Sequence, residues 1–187
     1  MEIKETEIEG VYILKPDIYG DSRGYFFESY NKERFNSLIP GAPDFVQDNQ
    51  SKSCYGVVRG LHFQTPPHAQ AKLVRVVIGT VLDVAVDLRP DSKTFGKYVS
   101  VELSAENRLQ FYMPEGFAHG FSVLSKEAMF QYKCSSLFNH ESEGGIQWND
   151  PDINIDWKLN PKDVILSAKD ISRQSLKEYA RANRINF

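Results

Sequence analysis

Apolar and polar residues alternate most cleanly between positions 72 and 88. Leu73-Val74-Arg75-Val76-Val77 is followed by Gly79-Thr80 and then by Val81-Leu82-Asp83-Val84-Ala85-Val86-Asp87-Leu88. This two-residue period predicts an antiparallel hairpin, with Lys72, Val74 and Val76 on one face of its first strand. Asp83, Ala85 and Asp87 then share one face of the second. Further strands are expected over 99–103, 109–113, 117–124 and 129–138. Arg59-Gly60-Leu61-His62-Phe63-Gln64 and the stretch 113–121 each place one histidine in what reads as a buried strand. Turn signals recur at short intervals, among them Tyr19-Gly20-Asp21, Pro40-Gly41, Arg89-Pro90-Asp91, Glu115-Gly116 and Gly144-Gly145. Many short strands with frequent turns read as an all-β sandwich or barrel.

Two short helices are expected at its periphery. Asn31 caps one carrying Phe35 and Leu38; Ser172 caps another, over about 172–183, carrying Leu176, Tyr179 and Ala180. The segment 148–157, with Asn149-Asp150-Pro151, reads as a turn-rich connection. No internal repeat, low-complexity run or linker interrupts the chain, so 1–187 is expected to form one domain. A length of 187 residues with 41% hydrophobic content supports one substantial core.

Charge and cysteine usage narrow the function. A net charge of -3 leaves no basic footprint for nucleic acid. Cys54 and Cys134 have no short-range partner spacing, which argues against a disulfide framework or a zinc knuckle. The charged start Met1-Glu2-Ile3-Lys4-Glu5 lacks the apolar stretch of a signal peptide, and no apolar run reaches the length of a membrane span. The expectation is a soluble, cytoplasmic protein with no membrane partner.

Candidate chemistry gathers around His62. Strict alternation puts Gly60, His62 and Gln64 on one face and Arg59 on the other; a bulge at Gly60 turns Arg59 to the side of His62. Taken singly, His62 and His119 read as core histidines, and Lys72 as a strand-end lysine reaching solvent. If Lys72 points inward it needs a carboxylate, and Asp83 on the neighbouring strand is the candidate. Tyr132 shares a face with Ala128, Phe130 and Cys134, and Asp170 reads by itself as a turn residue. Together these groups offer a base, an orienting carboxylate, a cation and an acid. That combination suits proton abstraction next to a carbonyl: a histidine takes the proton, a carboxylate fixes its tautomer, and a lysine holds the enolate oxygen.

The two histidine-bearing strands resemble the cupin barrels, which usually bind a metal through His-x-His, a following Glu and a third His. Here Gln64 stands at the second histidine and no acidic residue follows until Asp83, so the ligand set is incomplete and no metal is expected. More specifically, the chain resembles the dTDP-4-dehydrorhamnose 3,5-epimerases from about Ile3 to the final helix. The matching segments include Asp21-Ser22-Arg23-Gly24-Tyr25-Phe26-Phe27-Glu28, Gln47-Asp48-Asn49-Gln50-Ser51 and Val58-Arg59-Gly60-Leu61-His62-Phe63-Gln64. Others are Pro114-Glu115-Gly116-Phe117-Ala118-His119-Gly120-Phe121, Trp148-Asn149-Asp150-Pro151 and Leu166-Ser167-Ala168-Lys169-Asp170.

That resemblance implies a cupin-like jelly roll, a homodimer with exchanged N-terminal strands, and no cofactor. It implies a dTDP-sugar substrate, dTDP-4-dehydro-6-deoxy-D-glucose, inverted at C3 and C5. By position it makes His62 the base, Asp170 its carboxylate partner, Tyr132 the proton donor and Lys72 the group stabilising the enolate. Arg23, Phe26, Glu28, Gln47, Asn49, Arg59, His119, Glu143 and Lys169 fall on substrate-binding positions. The stretch Phe138-Asn139-His140-Glu141-Ser142-Glu143 departs most from the relatives, which often carry a Tyr and a Pro there. Three alternatives remain open: an epimerase acting at C3 alone, a metal-dependent cupin, and a sugar-binding module.

Overall fold

The computed structural model describes residues 1–185; the last two positions of the expected domain lie outside the described residues. Two antiparallel sheets face each other. The larger contains β1 (Glu2–Glu5), β2 (Tyr12–Lys15), β5 (Gln47–Cys54), β7 (Lys72–Ile78), β10 (Gln110–Met113) and β12 (Glu127–Cys134), in the order β1-β2-β10-β7-β12-β5. The smaller contains β6 (Val58–Gln64), β8 (Thr80–Asp87), β9 (Tyr98–Ser104), β11 (Phe117–Val123) and β13 (Glu143–Gly145), in the order β13-β6-β11-β8-β9. A separate hairpin, β3 (Tyr19–Asp21) with β4 (Gly24–Phe26), stands at the surface. Among the described residues there are also three short α-helices, α1 (Lys32–Leu38), α2 (Ala168–Ile171) and α3 (Leu176–Ala182). The all-β jelly roll with peripheral helices is as expected.

Alternation places the lumen. Val74, Val76, Ala85, Phe111, Phe121 and Phe130 form one buried cluster between the sheets. The opposite parity, Leu82, Val84 and Val86, packs outward beneath Ile146, Ile153, Trp157 and Leu176. The outer face of the larger sheet is covered by α1, whose Phe35 meets Leu14, Leu73 and Tyr112. A seven-residue helix is marginal alone, so Phe35 matters: its burial contributes about 1.5–3 kcal/mol. The Asn31 side chain caps this helix by accepting from the Arg34 N–H, as expected.

Three expectations need correction. β7 and β8 do not form a hairpin: β7 pairs with β10 and β12, whereas β8 pairs with β9 and β11. The chain changes sheets at Gly79, which has φ +79° and sits so close to β12 that a Cβ would lie 2.0 Å from the Glu127 carbonyl oxygen. Each strand alternates regularly, but the lumen-facing parity switches at that corner, from the even positions Val74 and Val76 to the odd positions Val81 and Ala85. Second, the last helix is capped by Ser175, not Ser172, since Ser175 and Glu178 form a reciprocal capping box. Third, β12 ends at Cys134 rather than Phe138, where Ser135 turns away to bond both the N–H and the carbonyl of Ala71.

Candidate active site

His62 reaches the lumen mouth through an irregular strand. Between the β6–β11 pairs His62↔His119 and Arg59↔Phe121, β6 advances three residues while β11 advances two. The extra residue is a β-bulge at Gly60, and it brings Arg59 to the side of His62. Only glycine fits there. Gly60 has φ +122°, and a Cβ would lie 2.6 Å from Gly120 Cα and 2.7 Å from the His119 carbonyl oxygen.

The His62 Nε2 lies 2.5 Å from Asp170 Oδ1, which fixes that nitrogen as the donor and leaves Nδ1 without a hydrogen bond among the described residues. Asp170 is itself held: Ser167 Oγ donates to its Oδ2 at 2.8 Å and caps α2 by accepting from the Asp170 N–H. Burial pushes the Asp170 carboxyl up, but His62, the Ser167 hydroxyl and the nearby Arg173 charge outweigh it and hold the acid below its ordinary range.

A cleft of about 350 Å³ opens at this point, lined by His62, Lys72 and Tyr132 together with Gln47, Asn49 and Glu143. Lys72 is only 8% exposed. Among the described residues its side chain has neither a hydrogen bond nor an ion pair, and burial pushes its pKa down. The Tyr132 hydroxyl is likewise without a hydrogen bond among the described residues, and burial pushes its pKa up while the Arg59 charge opposes.

The expected Lys72–Asp83 ion pair is not formed. Asp83 is fully buried and turns both oxygens to His119 Nε2, each at 3.0 Å. The sheet change at Gly79 explains this: His119 is a diagonal neighbour of Asp83 on the adjacent strand, whereas Lys72 lies in the facing sheet. Across the lumen the Lys72 charge still opposes the rise of the Asp83 pKa, after His119 does, but the two form no ion pair. Burial raises the Asp83 pKa and lowers that of His119, so each is pushed toward its neutral form.

Other expected binding residues divide by place. Gln47, Asn49 and Glu143 line the cleft, and Lys169 sits beside it in an ion pair with Glu143. Arg23 and Phe26 do not line it: they lie on the exposed β3–β4 hairpin, with Arg23 paired to Asp21. Glu28 bonds Asn31 and Arg34 instead. Sequence reasoning missed Phe138 and Cys134 as lining residues, although Cys134 shares a strand face with Tyr132 and alternation contains that signal. It also missed the work of Gln64. Its Nε2 donates to the His68 and Leu137 carbonyls at 2.6 and 3.3 Å, and its Oε1 accepts from the Asn139 N–H at 2.7 Å. Gln64 thereby pins together the two loops at the cleft rim. Among the described residues no group of three or more His, Cys, Asp or Glu side chains is arranged to hold a metal ion.

A jelly roll whose mouth holds a histidine–carboxylate pair, a buried lysine and a phenol has the parts of a carbohydrate epimerase. The chain belongs to the dTDP-4-dehydrorhamnose 3,5-epimerase family, whose model matches residues 5–178. It is 53% identical over 175 residues to dTDP-4-dehydrorhamnose 3,5-epimerase of Shigella flexneri, covering 93% of this chain and 95% of the relative. The crystal structure of the Elizabethkingia anophelis dTDP-4-dehydrorhamnose 3,5-epimerase superposes with a TM-score of 0.92 at 54% identity, covering 95% of this chain and 97% of that one. A Legionella pneumophila dTDP-6-deoxy-D-glucose-3,5-epimerase, solved with dTDP-4-keto-L-rhamnose, gives 0.91 at 49% identity, covering 94% and 93%.

Proposed function

We propose that the protein inverts C3 and C5 of dTDP-4-dehydro-6-deoxy-D-glucose to give dTDP-4-dehydro-L-rhamnose. The observation that carries this reading is the cleft in which the paired His62–Asp170 faces the buried Lys72 and the half-buried Tyr132, whose polar side-chain groups have no hydrogen-bond partner among the described residues. Polar groups so largely withdrawn from water are normally satisfied, so a pair left open toward one cleft points to a polar ligand that completes them. Membership of the epimerase family supplies the reaction, and the sugar nucleotide found in the Legionella relative supplies the substrate class.

The chemistry follows from where the atoms lie. Protons at C3 and C5 are both α to the C4 ketone, so one cation serves both inversions. His62, its Nε2–H committed to Asp170, takes the α-proton through Nδ1. Lys72 receives the negative charge that forms on the C4 oxygen, and Tyr132 returns a proton from the other face. The arrangement of sheets supports delivery from opposite sides: His62 comes from β6 in one sheet, Lys72 and Tyr132 from β7 and β12 in the other. Positioned acid–base catalysis contributes about 10²–10⁴-fold, roughly 3–5 kcal/mol of barrier, so enolate stabilisation by Lys72 must supply much of the remainder. Gln47, Asn49, Arg59, His119, Glu143 and Lys169 then bind substrate or nucleotide.

The same reading makes the protein a cytoplasmic homodimer. β1 and β2 pair within their own sheet in the single chain, while β3–β4 stands out with Tyr19, Tyr25 and Phe26 57–68% exposed. Exchange of this hairpin between copies buries those rings and brings Arg23 and Phe26 to the partner's cleft. No described helix is long and apolar enough to cross a membrane. The test is incubation with the 4-keto-6-deoxy sugar nucleotide in D₂O, read by NMR. Deuterium at both C3 and C5 is expected; none at either carbon refutes the assignment.

A further inference from the structure

α2 has four residues, too few to hold a helical turn in water by itself. It nevertheless carries Asp170, whose carboxylate must meet His62 closely. Its place is therefore dictated by what anchors it to the barrel. One anchor is backbone: the Gln147 N–H donates to the Gln174 carbonyl at 2.9 Å, beside the bridge Ile146↔Gln174. A second is Lys169 within α2, an exposed lysine ion-paired to Glu143. The third, and the buried one, is Arg173, three residues after Asp170. Its Nη2 donates to Glu143 Oε1 at 2.9 Å, with the two side chains only 13% and 12% exposed.

Arg173 also lies flat against the strand that flanks the base. A Cβ on Gly145 would come within 2.6 Å of Arg173 Nε and 2.7 Å of its Cδ. Gly145 pairs in register with His62, and Glu143 with Gln64. Arg173 Nε is buried there with no acceptor among the described residues, an arrangement that is costly to keep unless the guanidinium does something in return. One side chain thus ties the segment bearing Asp170 to the strand bearing His62's neighbour.

We propose that Arg173 is a positioning residue for the His62–Asp170 pair: by gripping Glu143 and lying on Gly145, it fixes α2 so that Asp170 meets the imidazole. This rests on the function proposed above. After His62 and the Ser167 hydroxyl, the charge of Arg173 adds a smaller contribution to lowering the Asp170 pKa.

The experiment compares kcat and KM for Arg173→Met, Arg173→Lys, Asp170→Asn and the double variant Arg173→Met/Asp170→Asn. Misplacing a reacting group by about 1 Å costs on the order of a hundredfold, so Arg173→Met should lower kcat roughly ten- to a hundredfold with KM little changed. Arg173→Lys should recover part of that loss. In the Asp170→Asn background the same substitution should cost little more, because no carboxylate remains to be placed. An equal loss in both backgrounds, or a loss in KM alone, overturns the positioning role. Should Arg173→Met fail to fold, Arg173→Lys, which keeps the charge but loses the forked grip on Glu143, must still lower kcat with KM little changed; unchanged kcat there also overturns it. Full activity in Arg173→Met beside a crippled Asp170→Asn refutes the positioning role alone. Full activity in Asp170→Asn removes both it and the function on which it rests.

Discussion

Replacing Lys72 with methionine separates catalysis from stability, because the structure gives the two effects opposite signs. The lysine is 8% exposed and its side chain has no hydrogen bond or ion pair among the described residues. Its ammonium serves an enolate oxygen that exists only during turnover. A unit charge about 4 Å from that oxygen, at an effective dielectric near 20, is worth roughly 4 kcal/mol. That corresponds to about a thousandfold in kcat. Methionine keeps the stem length and removes a poorly solvated charge, so the folded state no longer carries the cost of withdrawing that charge from water.

The stability difference carries a pH signature. Burial lowers the folded-state pKa of Lys72 below its unfolded value. Between those two values the unfolded chain binds more protons, so wild-type stability rises with pH across that window. The variant lacks this rise, and its advantage should therefore be fully present below the folded pKa and shrink as pH approaches about 10.4, the unperturbed lysine value. Steady-state kinetics with the keto sugar nucleotide and thermal melts at fixed protein concentration measure both effects. A gain of 1 kcal/mol raises Tm by about 2–4 °C in a chain of this size. Turnover within tenfold of wild type would refute the enolate role, and a lower Tm at pH 7 would refute the unpaired buried charge.

Three further outcomes are expected. Asp170→Asn should cut kcat strongly; because its folded pKa is depressed, any stability that Asp170 contributes is present above the unfolded value and fades as pH falls through the folded one. Acid melts of wild type and variant should therefore converge below about pH 3.9, the unperturbed aspartate value, and parallel curves there would show that the pairing does not act through ionisation. Tyr132→Phe should retain deuterium exchange at C3 better than it forms C5-inverted product, and equal loss at both carbons by NMR would make Tyr132 a binding residue. Gly60→Ala should destabilise by about 1–3 kcal/mol, since the new methyl meets Gly120 Cα at 2.6 Å with φ at +122°; an unchanged Tm would contradict the close approach.

Legibility in the sequence tracked the range of each interaction. The lumen parity of Val74, Val76, Asp83 and Ala85 is local, and alternation reveals it. Which sheet each strand joins is not local, so the corner at Gly79 looked like a hairpin turn and Asp83 was matched to Lys72 rather than His119. The Asn31 cap was readable from its neighbours. The Ser175 cap was readable too, since Glu178 follows at the capping-box spacing and Ser172 has no such partner. β5, Gln47-Asp48-Asn49-Gln50-Ser51-Lys52-Ser53-Cys54, alternates in exposure with scarcely an apolar side chain, so hydrophobicity carried little trace of it. The lining residues on β6, β7 and β12 were nominated singly, but only three-dimensional closure brings them to one mouth.

That closure ties the spacing of the reactive groups to the filling of the lumen. His62 is carried by one sheet and Tyr132 by the other, and between the sheets Phe121 of β11 stacks on Phe130 of β12 with ring centroids 4.3 Å apart. The aromatic pair serves as a spacer gauge for a tool whose two jaws are the sheets. Bulk lost or added there resets the gap in which a sugar ring must sit between acid and base. Drift in the deepest apolar residues of this barrel is then drift in reaction geometry, and a survey of tolerated core substitutions would measure how wide a gap the chemistry accepts.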